Sequence, residues 1–336
     1  MMSTTTTLDY AVAHLTDDSE VAIPYWHVDS GQDGETFLVN CAQHGNEVQG
    51  CESIRLFKQL CETDLKRGSV YLVPFTNLPA VKYRRPHINL GPEQPYADAE
   101  GHNMNRTWPG NPEGNDTERV SYAIHEAVVR HCTRCLDLHS WSGFFASATL
   151  APNDGGLVSE MAETTAIRFI SWSKPDEPGV EHTPSTITRL FNNTGRGAVC
   201  IELAGQYEIS SKKVALGLRA ATNLAKLFGM MDGEPELLDG PVIGMTDDMG
   251  DRKFDLNAPC SGLFVGTGLQ TADYVEEGQK LGHIIRDDNL ETMEIFAPVS
   301  GYLLRYGCYR PHSDVALPAR HPYASEGDPL ATVVVP

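Results

Sequence analysis

The chain predicts an α/β architecture of two unequal domains, and three observations carry that prediction. From Phe37 to Phe228, short apolar runs alternate with amphipathic stretches, the pattern of helices covering a central sheet. After Gly229 the texture changes to short β-like runs punctuated by Gly and Pro. Inside this C-terminal stretch a pair of motifs recurs. Ala258-Pro259-Cys260-Ser261-Gly262-Leu263 returns as Ala297-Pro298-Val299-Ser300-Gly301-Tyr302, and Glu277-Gly278-Gln279-Lys280-Leu281-Gly282 returns as Glu326-Gly327-Asp328-Pro329-Leu330-Ala331.

In chain order, the apolar runs place strands at residues 36–41, 69–75, 134–139, 144–150 and 198–203. Between them, Glu47 to Leu60 sets Val48, Cys51, Ile54, Leu56, Phe57 and Leu60 at helical spacing, and Glu118 to His131 and Lys212 to Phe228 do the same. Segments 76–117 and 151–185 are rich in Pro, Gly and Asn and read as long functional loops. A junction near Gly233-Glu234-Pro235 divides the chain into 1–233 and 234–336. The two repeated half-units predict a small all-β barrel or sandwich, which resembles the biotinyl and lipoyl carrier fold. In that fold the attachment lysine sits in a Glu-Ala-Met-Lys hairpin before the second half, where this chain has Glu291-Thr292-Met293-Glu294. A glutamate cannot form the amide link to biotin or lipoate, so the module reads as a carrier-like scaffold without a cofactor.

Composition narrows the function classes. The 336 residues, 41% hydrophobic, suffice for one large domain and a smaller one. A formal charge of −19, from 26 basic and 45 acidic residues, disfavours nucleic acid and anionic membrane as partners. A small anionic ligand would therefore need a local cluster of arginines. The beginning of the chain has neither a basic n-region nor an apolar h-region, and no run reaches the roughly 18 apolar residues of a membrane span, so a cytoplasmic location is expected. Eight dispersed cysteines read as reduced core thiols, including the lone Cys132-Thr133-Arg134-Cys135 pair at a helix-to-strand junction. Oligomeric state is unreadable from patterning, and a homo-oligomer stays open.

The chemistry begins at His44-Gly45-Asn46-Glu47, directly after the apolar run 37–42. An imidazole and a carboxylate three residues apart can grip one zinc ion, and a catalytic zinc takes about three protein ligands and leaves a place for water. His139, in Asp137-Leu138-His139-Ser140, is the candidate third ligand. Neutral nitrogen and hard oxygen suit Zn²⁺ and keep it Lewis-acidic. Each of the two motifs lies at a strand end, where ligands gather in open α/β sheets. Asp137 reads as a partner for the free N–H of a metal-bound histidine or as a brace of the sheet.

Further along stand Arg84 and Arg85, then Asn103-Met104-Asn105-Arg106-Thr107-Trp108-Pro109-Gly110, and later Ile201-Glu202-Leu203-Ala204-Gly205. Taken in this order with the HxxE and Asp-Leu-His motifs, these segments resemble the succinylglutamate desuccinylase and aspartoacylase family, a branch of the zinc carboxypeptidase fold. The resemblance covers roughly residues 20 to 336. It implies a carboxypeptidase-like mixed sheet flanked by helices, and one zinc per subunit on His44, Glu47 and His139. It makes Glu202 the general base and later proton donor, and gives Asn105 and Arg106 the substrate carboxylate, a task that suits the planar guanidinium fork. It also implies an arginine facing the scissile carbonyl, for which Arg85 is preferred over Arg84. The chain departs from common members in a longer His87 to Glu100 insert and in Met104 where Leu is usual.

The expected reaction is deacylation of a small N-acyl amino acid. Zinc lowers the pKa of a water toward about 7, Glu202 takes its proton, and an amide carbonyl is attacked. Two alternatives remain open at this stage: a metallocarboxypeptidase trimming short peptides, and a non-catalytic zinc-binding metabolite sensor. The acyl group, the amino acid, and any pocket role of His182, His312 or Trp141 are not decodable from the pattern.

Overall fold

In the computed structural model, which describes residues 4–88, 102–176, 185–246, 249–309 and 321–336, a nine-stranded mixed sheet organises the larger domain. Its strands are β1 (Thr5–His14), β2 (Glu20–Asp29), β3 (Thr36–Cys41), β4 (Ser69–Val73), β5 (Arg134–Trp141), β6 (Ala148–Pro152), β7 (Phe169–Ser173), β8 (Gly197–Ala204) and β9 (Ile243–Met245). Their order is β1-β2-β4-β3-β5-β8-β6-β7-β9. The four central strands β4, β3, β5 and β8 run parallel, and β6 pairs antiparallel with β8.

Helices cover both faces: α1 (Gln49–Asp64), α2 (Leu78–Tyr83), α3 (Asp116–Ala127), α4 (Leu157–Thr164), α5 (Ile187–Asn193) and α6 (Ser211–Leu227). The alternation of β3 shows why both are needed. Phe37, Val39 and Cys41 enter a core with Ile54 and Phe57 of α1 and Leu224 of α6, whereas Leu38 enters the opposite core with Val120 and Ile124 of α3 and Phe191 of α5. The α3 start is fixed by a capping box, Asn115 accepting from the Glu118 N–H while the Glu118 side chain accepts from the Asn115 N–H.

Several boundaries differ from expectation. The helix expected from Glu47 begins at Gln49, so His44 and Glu47 both lie in the loop before α1. The strand expected at 144–150 is Ala148–Pro152. Segments 76–117 and 151–185 are not plain loops. The first holds α2 and a 3₁₀ turn at Met104–Arg106, and the second holds α4 and β7. Pro79 sits in the first turn of α2, where its missing N–H does no harm, and α4 follows Asp154-Gly155-Gly156, whose composition reads as loop. The β1–β2 hairpin had no counterpart in the strands expected from the sequence. Strand β9 pairs with β7 and so belongs to the large sheet, although it lies past the junction read at Gly233-Glu234-Pro235.

The remaining strands are β10 (Lys253–Asn257), β11 (Gly262–Gly266), β12 (Tyr274–Val275), β13 (Lys280–Arg286), β14 (Thr292–Phe296), β15 (Gly301–Tyr306), β16 (Tyr323–Ala324) and β17 (Pro329–Val334). They form two four-stranded sheets, β10-β17-β15-β12 and β14-β13-β11-β16. Matching β10 to β14, β11 to β15, β12 to β16 and β13 to β17 turns one order into the other, so each sheet takes strands from both repeats. The repeated glycines explain the repeated motif. A Cβ on Gly262 would stand 2.1 Å from Ile285 O and one on Gly301 2.5 Å from Val334 O, while Gly278 and Gly327 hold φ of 77° and 89° in equivalent turns. Glu294 lies within β14 opposite His283 and pairs with Lys280. This module meets the large sheet through an apolar cluster of Ala146, Ala148, Phe169, Ile243, Leu304 and Val334 and through the Ala146 N–H, which donates to Leu304 O at 2.8 Å.

Candidate active site

The carboxyl ends of β3, β5 and β8 lie side by side, and the chain leaves β3 toward β4 on one side while β5 flanks it on the other. Such a reversal opens a crevice between strand ends. Four sequence-predicted residues converge there. His44 and Glu47 occupy the β3–α1 loop, and His139 and Glu202 are direct neighbours in the parallel β5–β8 register. Tight packing holds the loop. A Cβ on Gly45 would come within 2.1 Å of Ala80 C and 2.4 Å of Arg85 O, so only glycine lets this turn lie against the end of α2.

His44, Glu47 and His139 bring one ligand atom each within 4.8 Å of one another. His44 Nδ1 is 3.1 Å from Glu47 Oε1, and His139 Nδ1 is 2.9 Å from Glu47 Oε2. The far nitrogens are held as well: His44 Nε2 lies 2.9 Å from Asn103 Oδ1 and His139 Nε2 lies 3.0 Å from Asp137 Oδ2. An acceptor therefore faces each nitrogen of both rings; the Gln43 Nε2 donor also stands 3.2 Å from His139 Nε2, so His44 is the ring whose hydrogen-bond partners among the described residues are acceptors alone. A neutral imidazole has one N–H, so two acceptors leave a lone pair opposed to an oxygen unless the ring is protonated or a cation stands at Nδ1. The donor set is short of positive charge at the point where the three ligand atoms meet, which is the fit a divalent ion requires.

The electrostatics follow from burial and these contacts. Burial opposes the imidazolium of His44, but Glu47 outweighs it and raises the pKa. For His139 burial is likewise overcome, by Asp137 and Glu47, and the pKa rises well above its ordinary value. Burial would push the Glu47 carboxyl up, yet His44 and His139 hold it well below the usual range. Glu202 is left with the opposite balance: burial, then the charge of Glu47, push it up to about 7. Its Oε2 has no hydrogen-bond partner among the described residues. Cys200 can also form a three-ligand group with Asp137 and His139, but burial raises its thiol pKa, and the thiolate is the ligating form.

A buried polar frame, mostly unforeseen, supports this centre. Asn40 Nδ2 donates to Asp137 Oδ1 at 2.8 Å and Gln43 Nε2 to Asp137 Oδ2 at 2.8 Å, while Gln43 Oε1 accepts from Trp108 Nε1 at 2.7 Å. On the other side, the Ser140 N–H donates to Glu47 Oε2 at 2.9 Å, and Gln206 Nε2 reaches Glu47 Oε1 at 3.2 Å and Ser140 O at 2.8 Å. Asn103 Oδ1 also accepts from the Asn105 N–H at 2.9 Å, tying the 3₁₀ turn to His44. His87, buried, sets its ring edge-on to His44 with centroids 5.4 Å apart. Proximity in sequence was the available signal for Gln43 and Asn103, one residue from His44 and two from Asn105. Gln206 and Asn40 carried none.

The remaining predicted residues are placed less closely. Asn105 and Arg106 are on the 3₁₀ turn, with Asn105 Oδ1 buried and without a partner among the described residues, and Arg106 is exposed, its Nη1 donating to Asn105 O at 2.6 Å. Arg84 is exposed at the α2 C-cap with φ 58°, whereas Arg85 is partly buried and its backbone abuts Gly45. Trp141 is partly buried, its Nε1 donating to Ala146 O at 2.9 Å. His182, His312 and residues 89–100 of the insert lie outside the described residues.

Residues 33–228 match the family described as Succinylglutamate desuccinylase/Aspartoacylase catalytic domain. Over 331 residues the chain is 25% identical to N-alpha-acetyl-L-2,4-diaminobutyric acid deacetylase of Halomonas elongata, covering 93% of this chain and 85% of that protein. Among solved structures, a succinylglutamate desuccinylase/aspartoacylase from Rhodobacter sphaeroides superposes with a TM-score of 0.66 at 22% identity, covering 98% of this chain and 95% of the other. The product-bound ectoine utilization protein EutE (DoeB) from Ruegeria pomeroyi does so with a TM-score of 0.64 at 21% identity, covering 100% and 96%. These two likenesses concern the fold.

Proposed function

Because the chain belongs to the succinylglutamate desuccinylase/aspartoacylase family, we propose that it is a zinc-dependent amidohydrolase that removes the acyl group from an N-acyl amino acid. The observation that carries this reading is the meeting of His44, Glu47 and His139 at one point with Glu202 in register beside His139. Zinc held by those three side chains would supply Lewis acidity and make a water acidic near neutral pH. Glu202, pushed up to about 7, accepts a proton from water and returns it to the leaving amine at a pH where both forms are populated. Asn103 and Asp137 hold the two imidazoles by their Nε2 atoms, which keeps both Nδ1 atoms turned to the centre. Asn105 and Arg106 take the substrate carboxylate. Arg85, nearer than Arg84 to the Gly45 turn, stabilises the developing oxyanion.

The same reading makes residues 1–233, together with β9 of the large sheet, a carboxypeptidase-like catalytic domain, and makes the rest of 234–336 a carrier-like module without an attachment lysine that narrows access to small substrates. Eight free cysteines suit a reducing cytoplasm. The test is a panel of N-acetyl and N-succinyl amino acids, including acetylated diamino acids, run beside short peptides with and without chelator. Chelator-sensitive release of the free amino acid is expected. Turnover of peptides alone would establish the metallocarboxypeptidase instead, and stoichiometric zinc without any turnover would establish a sensor.

A further inference from the structure

Tyr207 is a bulky aromatic residue with φ 59°, in the left-handed region where β-carbons are crowded and glycine or asparagine is expected. The surrounding turn over-determines this conformation. Gln49, fully buried at the start of α1, donates from Nε2 to Ala204 O at 2.5 Å and to Gly205 O at 2.7 Å, and its Oε1 accepts from the Ser210 N–H at 3.1 Å. The Tyr207 N–H donates to Asn46 O at 2.8 Å, one residue before Glu47, and the preceding Gln206 touches Glu47 itself. The turn leaves the carboxyl end of β8, five residues beyond Glu202, on the end of the sheet that holds the site. Nearby, the Asn46 amide is 1% exposed, yet neither its Nδ2 nor its Oδ1 has a partner among the described residues.

Strained backbone that its surroundings over-determine clusters at active sites and ligand clamps, which makes the Tyr207 side chain a candidate for ligand contact. Here that side chain is not filling a core, because Tyr207 is 43% exposed, and Ile209, two residues on, is 61% exposed. We propose that the Tyr207 ring contacts the substrate and packs on the methylene-bearing side chain of the N-acyl amino acid, with Ile209 extending the same apolar rim. This rests on the hydrolase reading above. It also supplies what that reading lacks, a discriminator of side-chain length that is independent of carboxylate recognition.

The experiment compares wild type, Tyr207→Gly and Tyr207→Phe on N-acetyl 2-amino acids whose side chains lengthen by single methylenes, with Tm and zinc content measured on each protein. Tyr207→Gly should raise Tm by about 1 to 2 °C as the strain is relieved, and should raise KM about ten-fold with kcat little changed. It should also flatten the dependence on side-chain length, whereas Tyr207→Phe, which keeps the ring, should keep that dependence. Unchanged KM in Tyr207→Gly, a fall in its Tm or zinc content, or a Tyr207→Phe loss as large as that of Tyr207→Gly would each overturn the proposal. If wild type hydrolyses neither this series nor any member of the wider N-acyl panel, the hydrolase reading fails separately. Calorimetric affinities for the same compounds then decide: weaker binding by Tyr207→Gly supports the contact and equal or absent binding removes it.

Discussion

The two domains of this molecule solve folding in opposite ways. In the C-terminal module, two copies of one strand pattern interleave, and among its described residues after Met249 only Thr332 is a buried polar side chain. Around the carboxyl ends of β3, β5 and β8, by contrast, Asn40, Gln43, Asn46, Glu47, Asp137, His139 and Ser140 are all buried. Burying that many polar groups disfavours folding unless each finds a partner, and several find theirs only in one another. The module shows what a chain needs in order to fold, and the strand-end crevice holds buried polar groups that folding alone does not require.

The largest expected effect breaks the comparison at its centre. Glu202→Gln should lower kcat by about 10²- to 10⁴-fold, the usual worth of a positioned acid–base group, with zinc content unchanged. Glu294→Gln, an exposed acid of the module, should leave kcat as it is. A Glu202→Gln enzyme that keeps a tenth or more of the wild-type rate would remove Glu202 from the mechanism. Next in size is a pair of glycines. Gly45→Ala forces a Cβ into the backbone of Ala80 and should destabilise by about 3 kcal/mol, the upper end of the overpacking range, with loss of metal. Gly278→Ala meets no atom within 4 Å and suffers only its φ of 77°, so about 1 to 2 kcal/mol is expected. Urea midpoints of the two variants measure the difference.

How much of this was legible in the sequence differs between the domains for physical reasons. The module's symmetry was visible because the close contacts of Gly262 and Gly301 and the turns at Gly278 and Gly327 impose the same residue at equivalent places. The α/β alternation was visible because β3 and β5 are buried on both faces. The α4 and β7 elements were lost inside a Pro- and Gly-rich composition, since two short elements of 8 and 5 residues carry too little period to stand out. At the site, ligand-type side chains at strand ends announced themselves by chemistry and spacing. Gln206 and Asn40 did not, because neutral amides are common everywhere and only the fold brings them to Glu47 and Asp137. The β9 pairing depends on a partner more than 70 residues away, a contact that no local pattern encodes.

A pH series sharpens the comparison further. In metal-free protein Glu202 keeps its proton to about pH 7, while the unfolded chain loses it near the ordinary 4.5. Between those values the native state binds more protons than the unfolded state, so stability falls as pH rises. His44 and His139, both raised, act in the same direction: their contribution is complete below their ordinary 6.5 and is lost as pH climbs through the raised values. Glu47 runs the other way, its contribution present above its ordinary 4.5 and lost on acidification. Urea midpoints in chelator from pH 5 to 8 should therefore fall toward pH 8, and Glu202→Gln should flatten some of that fall. Zinc should flatten more of it, because metal binding displaces the imidazole protons. A Glu202→Gln curve parallel to wild type would mean that the Glu202 carboxyl is not raised.

The smallest effect comes from matched deletions of one side-chain hydrogen bond in each domain, buried at the crevice and half-buried in the module. Asn40→Leu strips Asp137 Oδ1 of a donor where no water reaches it, and a hydrogen bond to a buried carboxylate is worth about 1.5 to 3 kcal/mol. Because Asp137 also holds His139 Nε2, that variant should lose zinc affinity together with stability. Thr332→Val removes the Oγ1 that donates to Asp255 Oδ1 at 2.5 Å, but Asp255 is exposed and turns to water, and Lys253 still pairs with it. About 1 kcal/mol is therefore expected, with zinc content and kcat untouched. If Thr332→Val proved as harmful as Asn40→Leu, or depleted zinc, the module would be coupled to the proposed metal site through its packing on Ala146 and Phe169, and the contrast between the two regions would have to be replaced by a single cooperative unit.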